Sequence, residues 1–240
     1  NVLALNSGTI RDAALNDAVL THDAVSDNSS VKVDTTAPSV DNFTMSDTEF
    51  KIGDNATVTL VFSEKVIEFS NADITIPNLD NSTPSGTLST MTSDDNETWR
   101  GTFTPAINAE DNSSRLSLGT SYTDLAGNNG PSETTANYEI ETLAPTVSSV
   151  AITGAAGIQN SFVNVGDNVS VTATFSELVN VSGTPTLTLA VGSDNRTASY
   201  ASGDNSTDLV FRYTIQSGDN DTNGISIREN VLALNSGTIR

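Results

Sequence analysis

Cysteine is missing from the chain altogether. Neither disulfides nor thiolate metal sites can staple it, so rigidity has to come from apolar burial or from oxygen-ligated ions. Basic residues are scarce: ten Lys and Arg stand against thirty Asp and Glu, a formal net charge of −20. Nucleic acid and anionic membrane both demand a cationic footprint, which argues against either as a partner. Hard cations bind through carboxylate and carbonyl oxygens, and this composition suits them. No apolar run approaches the roughly 20 residues of a membrane span, so direct membrane insertion is not expected. An initiator Met and a signal-like leader are absent as well, and the sequence reads as an internal window of something longer. The single histidine, His22, sits in a short polar loop without an evident Ser or Cys partner, and the paired acids fall in turns or seams. No enzyme is expected.

Aromatics make up only 5% of a mixture dominated by Thr, Ser, Asn, Asp and Gly, a composition that disordered segments share. Against disorder stands clean period-2 alternation in many short runs. Val58-Thr59-Leu60-Val61-Phe62, Thr98 to Phe103, Thr186 to Leu189 and Val210 to Ile215 are half-buried strands. Helical periodicity with caps is nowhere convincing, and the class is all-β. Between Pro38 and Ala144 strands are expected at about 39–45, 56–64, 73–76, 86–92, 97–104, 115–123 and 134–140. Short strands separated by Asn/Asp/Gly/Pro turns in this number are the pattern of an immunoglobulin-like antiparallel β-sandwich. Val58, Leu60, Phe62, Phe103, Leu116, Leu118, Tyr122, Tyr138 and Ile140 supply its core, and Trp99 packs with them or on the sheet face.

The chain also repeats itself. Asn1 to Arg11 recurs letter for letter as Asn230 to Arg240, so the sequence covers one period of 229 residues and the start of the next copy. A weaker repeat lies inside that period. Ile52 to Glu64 matches Val165 to Glu177 at 8 of 13 positions, and Asp124-Leu125-Ala126-Gly127-Asn128 matches Asp12-Ala13-Ala14-Leu15-Asn16. Thr35-Thr36-Ala37-Pro38 and Thr142-Leu143-Ala144-Pro145, each after an acid, mark the seams. Tandem sandwiches follow: residues 1–36 are the last strands of a preceding domain, 37–144 a complete domain, and 145–240 a domain lacking its last strands. A neighbouring copy, head to tail, is expected to complete it.

Antiparallel topology then brings distant acids together. In the complete domain the A–B loop and the exit share one pole, so Asp54 and Glu141 are expected at the second seam, faced by Glu177 and by the Asp12–Asn16 loop of a following copy. At the first seam Asp34, Glu64, Asp124 and Asn128 converge with Asp167 of the preceding copy. Acids crowded in such a gap repel one another, and Ca²⁺ with six to eight oxygen ligands resolves the conflict. Asp219 and Asp221 in Ser217 to Gly224 begin like a calcium loop, with a plain turn the equal alternative. The remaining acidic clusters, Asp94–Glu97 and Glu110–Asn112, read as solvated turns. Sequons at Asn81, Asn112 and Asn205 and Thr-x-Thr pairs on the strands read as turn and strand composition.

At these residues the chain resembles the immunoglobulin-like extender repeats of giant, type I-secreted (RTX-type) bacterial surface adhesins. The resemblance rests on Asp34 to Pro38, on Val165-Gly166-Asp167 with Phe175-Ser176-Glu177, on Asp124 to Asn128, on Gly183 to Leu189 and on Phe211 to Asp221. It implies calcium at domain junctions, display at the bacterial cell surface, and service as a stalk carrying distal adhesin domains. Glu141 departs from the usual linker Asp, and Leu15 stands where Gly is expected in a left-handed turn. The expected function is thus a calcium-stiffened structural extender. The alternatives are a ligand-binding adhesive module and a self-complementing, filament-forming subunit.

Overall fold

The computed structural model describes residues 5–80 and 82–240. The first four letters of the eleven-residue repeat and the sequon asparagine Asn81 lie outside the described residues.

Residues 40–141 build a two-layer sandwich. Its strands are β1 (Val40–Met45), β2 (Glu49–Lys51), β3 (Ala56–Phe62), β4 (Val66–Ile67), β5 (Ile74–Thr75), β6 (Gly86–Leu88), β7 (Thr98–Pro105), β8 (Glu110–Ser114), β9 (Ser117–Leu118), β10 (Thr123–Asp124), β11 (Glu133–Thr134) and β12 (Tyr138–Glu141). One layer is the sheet β1-β3-β7-β6; the other comprises β2-β12-β8 and β11-β9-β5, and β10 pairs with β4. The order is that of an immunoglobulin-like fold, with the last strand β12 held between β2, parallel to it, and β8, antiparallel. Residues 110–112 are not the solvated turn expected from Glu-Asp-Asn. They begin β8, because β12 supplies a backbone ladder that outweighs their weak strand preference.

The alternation on β3 does what its period requires. Val58, Leu60 and Phe62 are 0–2% exposed, while Thr57 faces outward. Phe50, Phe103 and Tyr138 pack with ring centroids 5.2 to 5.8 Å apart. Each such side chain contributes about 1.5–3 kcal/mol by leaving water, which is what holds a sandwich without a disulfide. The Tyr138 hydroxyl is satisfied inside by Ser85 Oγ at 2.8 Å. Trp99 packs edge-on against Phe69 at 4.8 Å, as core rather than as a binding aromatic.

A second, separate core belongs to residues 147–239. The strands are β13 (Val147–Ala155), β14 (Asn168–Val179), β15 (Val181–Ser182), β16 (Thr186–Val191), β17 (Asp194–Ser202), β18 (Ser206–Thr214), β19 (Ser226–Ala233) and β20 (Thr238–Ile239). They form one sheet, β13-β14-β18-β17-β16-β19, and the small pair β15–β20. Among the described residues no strand lies beyond β19 in the place β12 takes beside β8. The consequence shows on β13. Phe43, opposite Leu60 in the first sandwich, is 6% exposed; Val150, in the same place opposite Ala173, is 37% exposed. Residues 5–36 form no strand, their one β-pairing being the isolated bridge between Arg11 and Asp17, and they are exposed almost throughout.

Candidate metal centre

Both sandwiches are pinned at their leading end by the same short spelling. In Phe62-Ser63-Glu64, Ser63 Oγ accepts from Ser39 N at 2.9 Å, and Ser63 N donates to Ser39 O at 3.0 Å. In Phe175-Ser176-Glu177, Ser176 Oγ accepts from Thr146 N at 2.9 Å, and Ser176 N donates to Thr146 O at 2.8 Å. The residue after each Pro is thus stitched to the residue before each Glu. The acid before each Thr-x-Ala-Pro folds back as well: Asp34 Oδ1 accepts from Thr36 N at 3.1 Å, and Glu141 Oε1 from Leu143 N at 3.2 Å. These bonds together carry Glu64 to Asp34 and Glu177 to Glu141.

At the leading end of the first sandwich, Asp34, Glu64 and Asp124 each offer an oxygen within 4.8 Å of the others. Asp124 is buried, with its Oδ1 accepting from Ala126 N at 2.8 Å and Asn128 N at 2.9 Å. The Asn128 side-chain amide donates to Asp124 Oδ2 at 2.7 Å and reaches Thr36 O at 3.3 Å. Asn128 thereby ties the loop to the linker, and its amide nitrogen is engaged as a donor. That amide, above all, holds the Asp124 carboxyl below its ordinary range, although partial burial opposes it. Glu64 moves the other way, pushed up by loss of water and then by the charges of Asp34 and Asp124.

Between the sandwiches the gathered acids are Glu110, Glu141 and Glu177. Glu141 is pushed up by loss of water, then by Glu110 and Glu177. One oxygen of Glu177, Oε1, is buried with no hydrogen-bond partner. Asp54, expected in this group, is not in it: its Oδ2 accepts from Lys51 N at 2.9 Å and closes its own turn. Asp167 does the same for Asn164 N at 2.6 Å. Both acids follow a glycine in the left-handed region, Gly53 and Gly166, so they are spent on the turn. Glu110 comes instead, as the partner of Glu141 in the β8–β12 ladder. Sequence reasoning missed it because a bulge between Tyr138 and Ile140 shifts the register, so counting alternate residues does not reach it.

Asp12 and Asn16 repeat the Asp124 loop bond for bond. Asp12 Oδ1 accepts from Ala14 N and Asn16 N, both at 2.9 Å, and Asn16 Nδ2 donates to Asp12 Oδ2 at 2.9 Å. Leu15 takes φ 70°, where Gly127 has φ 90°, so the left-handed turn survives the substitution. The Asx bonds over-determine the turn. Asp219 and Asp221 are both engaged by donors of the protein itself. Asp219 receives Arg196 Nε at 2.6 Å, Tyr213 OH at 2.5 Å and Gln216 N at 2.8 Å. Burial pushes its carboxyl up, but the donors outweigh this and hold it low. Asp221 caps Gly192 N at 2.8 Å and Gly224 N at 2.9 Å.

Residues 34–140 match the family model of a bacterial Ig-like domain. The match runs from one linker acid to the residue before the next, and it takes in Asp34, Glu64 and Asp124 together. No curated protein matches the chain.

The donor chemistry of both groups is oxygen alone. Opposite ligands around a calcium ion lie at most about 5 Å apart, given bonds of about 2.3–2.6 Å. Three carboxylate oxygens within 4.8 Å of one another fit that sphere. The residues present therefore suit a hard divalent cation, and with neither imidazole nor thiolate among them they do not suit zinc.

Proposed function

We propose that the chain is a structural spacer of a large, repetitive bacterial surface adhesin, stiffened by calcium bound where consecutive sandwiches meet. The observation that carries this reading is the convergence of Glu110, Glu141 and Glu177 from two separate sandwiches into one group of oxygens. Three carboxylates so close repel unless a cation sits among them. The orphaned Glu177 Oε1 supports the same reading, since a buried carboxylate oxygen without a donor is costly unless a metal takes the donor's place. The second group, Asp34, Glu64 and Asp124, supports an identical function one sandwich earlier. Glu141 bridges its own linker and the next domain, so an ion there fixes the interdomain angle.

Type I secretion, display at the cell surface and distal adhesive domains belong to the same proposal and rest on the resemblance and on letter-for-letter repetition. A ruler has to be repeated identically, whereas a binding site does not. Small-angle scattering tests the reading. In millimolar calcium the two-sandwich particle is expected to be longer and narrower in its distribution of distances than in EDTA, with β structure retained in both. Overlaying profiles would refute the stiffening.

A further inference from the structure

The exit of the first sandwich is held by a side chain that carries no charge. Thr142, which follows Glu141 and opens the Thr-x-Ala-Pro linker, is only 4% exposed. Its backbone N donates to Ala109 O at 2.9 Å. Its Oγ1 accepts from Ala109 N at 3.0 Å and donates to Ala106 O at 2.7 Å. A threonine hydroxyl has one proton to give and lone pairs to receive, and here both sides are used inside the protein. The bond from Ala109 N extends the β8–β12 pairing past Glu110 and Glu141, with a side-chain oxygen in place of a strand carbonyl. The bond to Ala106 O closes the turn 106–109, in which Asn108 takes φ 53°.

We infer that Thr142 is a positioning residue of the seam: its hydroxyl keeps Glu110 and Glu141 side by side in the absence of an ion and confines bending between the sandwiches to Leu143, Ala144 and Pro145. The part that concerns the two acids rests on the cation reading above; the part that concerns bending does not. Glu110 and Glu141 face each other at the end of their ladder, where like charges push apart. Ala109 is bonded to Glu110 and Thr142 to Glu141, so a latch between Ala109 and Thr142 sits just beyond the repelling pair and opposes its opening.

The hinge follows from what is tied on either side. Thr142 belongs to the first sandwich through the bonds just given. Thr146 belongs to the second through Ser176, whose Oγ accepts from Thr146 N at 2.9 Å and whose N donates to Thr146 O at 2.8 Å. Leu143, Ala144 and Pro145 lie between. The ring of Pro145 fixes its own φ and confines Ala144 to extended backbone. Leu143 N is tied in turn to Glu141 Oε1 at 3.2 Å. Few torsions are left free, so part of the stiffness is built into the chain and needs no ion.

Three variants test this. Thr142→Val keeps the shape and removes the hydroxyl, Thr142→Ala repeats the loss with a smaller side chain, and Thr142→Ser keeps the hydroxyl. Circular dichroism selects those that retain the wild-type β signal. Small-angle scattering in EDTA reads the hinge: loss of the hydroxyl is expected to broaden the distribution of distances, and Thr142→Ser to overlay the wild type. Calorimetric titration with calcium chloride reads the positioning. Loss of the hydroxyl should weaken the class of Glu110, Glu141 and Glu177 by roughly 10–100-fold and leave the class of Asp34, Glu64 and Asp124 unchanged. Thr142→Ser should restore wild-type binding. Equal weakening of both classes would mean a general loosening of the first sandwich and would overturn the positioning role, as would unchanged binding. Overlaying profiles in EDTA would overturn the hinge. A wild type that takes up no calcium would sink the cation reading, and the scattering in EDTA would still decide the hinge by itself.

Discussion

Glu141 stands directly opposite Glu110 in the antiparallel ladder of β8 and β12, like charge against like charge at the end of the first sandwich. Cross-strand like charges destabilise a pair by about 0.2–1 kcal/mol. Glu110→Gln is therefore expected to stabilise the first sandwich by about that amount in EDTA and to reduce the further gain on adding calcium. Urea unfolding with and without calcium checks both signs. A loss of stability in EDTA would mean that the pair is not repulsive.

Calorimetric titration should resolve two classes of calcium site. Extracellular modules bind with dissociation constants on the order of 10⁻⁴–10⁻³ M. The group of Asp34, Glu64 and Asp124 is expected to bind the tighter, because its buried Asp124 is fixed by Asn128. Glu64→Gln should abolish that class alone and Glu177→Gln the other alone. Millimolar calcium should raise the melting temperature by on the order of 10 °C, and chelation should reverse it.

Acid should act on the first sandwich in two opposite senses. Asp80 and Asp95 are held at about 2 by backbone N–H donors, Ser82 and Thr83 for the one, Thr98 and Glu97 for the other. A depressed carboxyl stabilises above its unfolded value of about 3.8 and loses that contribution as pH falls toward 2. Glu64 and Glu141 are raised above 4.5, so in EDTA they take up protons in the native state first, and stability rises as pH falls toward that value. Thermal melts in EDTA should pass through a maximum in mild acid and drop steeply below pH 4. Asp95→Asn should flatten the drop and leave the rise unchanged.

The two cores share no residue, which makes the sandwiches separable by mutation. Phe103 is 0% exposed between Phe50 and Tyr138. Phe103→Ala should cost the first sandwich about 3–5 kcal/mol and leave the melting of the second in place. Scanning calorimetry reads this as one transition shifted and one fixed.

How far the sequence spoke depends on which forces act at a position. Period-2 alternation located β3, β7 and β18, because solvent on one face and core on the other leave no other pattern. The Asp and Asn of the Asp124 loop were legible for a similar reason: their bonds are to groups two to four residues away. The stitching Ser of Phe-Ser-Glu was not, since its partners Ser39 and Thr146 lie 24 and 30 positions off. Glu110 was not legible, since its neighbour across the ladder is 31 positions on and a bulge intervenes. Asp54 and Asp219 misled because spacing gives proximity to a seam but not the local donors that claim a carboxylate first.

The parallel pairing of β2 with β12 bears on how the module answers a pull. The chain enters through β1 and β2 and leaves through β12, and Glu139, Ile140 and Glu141 lie alongside Glu49, Phe50 and Lys51 in the same direction. Tension applied at the two ends slides these strands past each other, so the bonds between them are loaded in shear and have to break together. An antiparallel hairpin in the same place would unzip one bond at a time. Under a pull on its two ends the first sandwich therefore resists as a clasp.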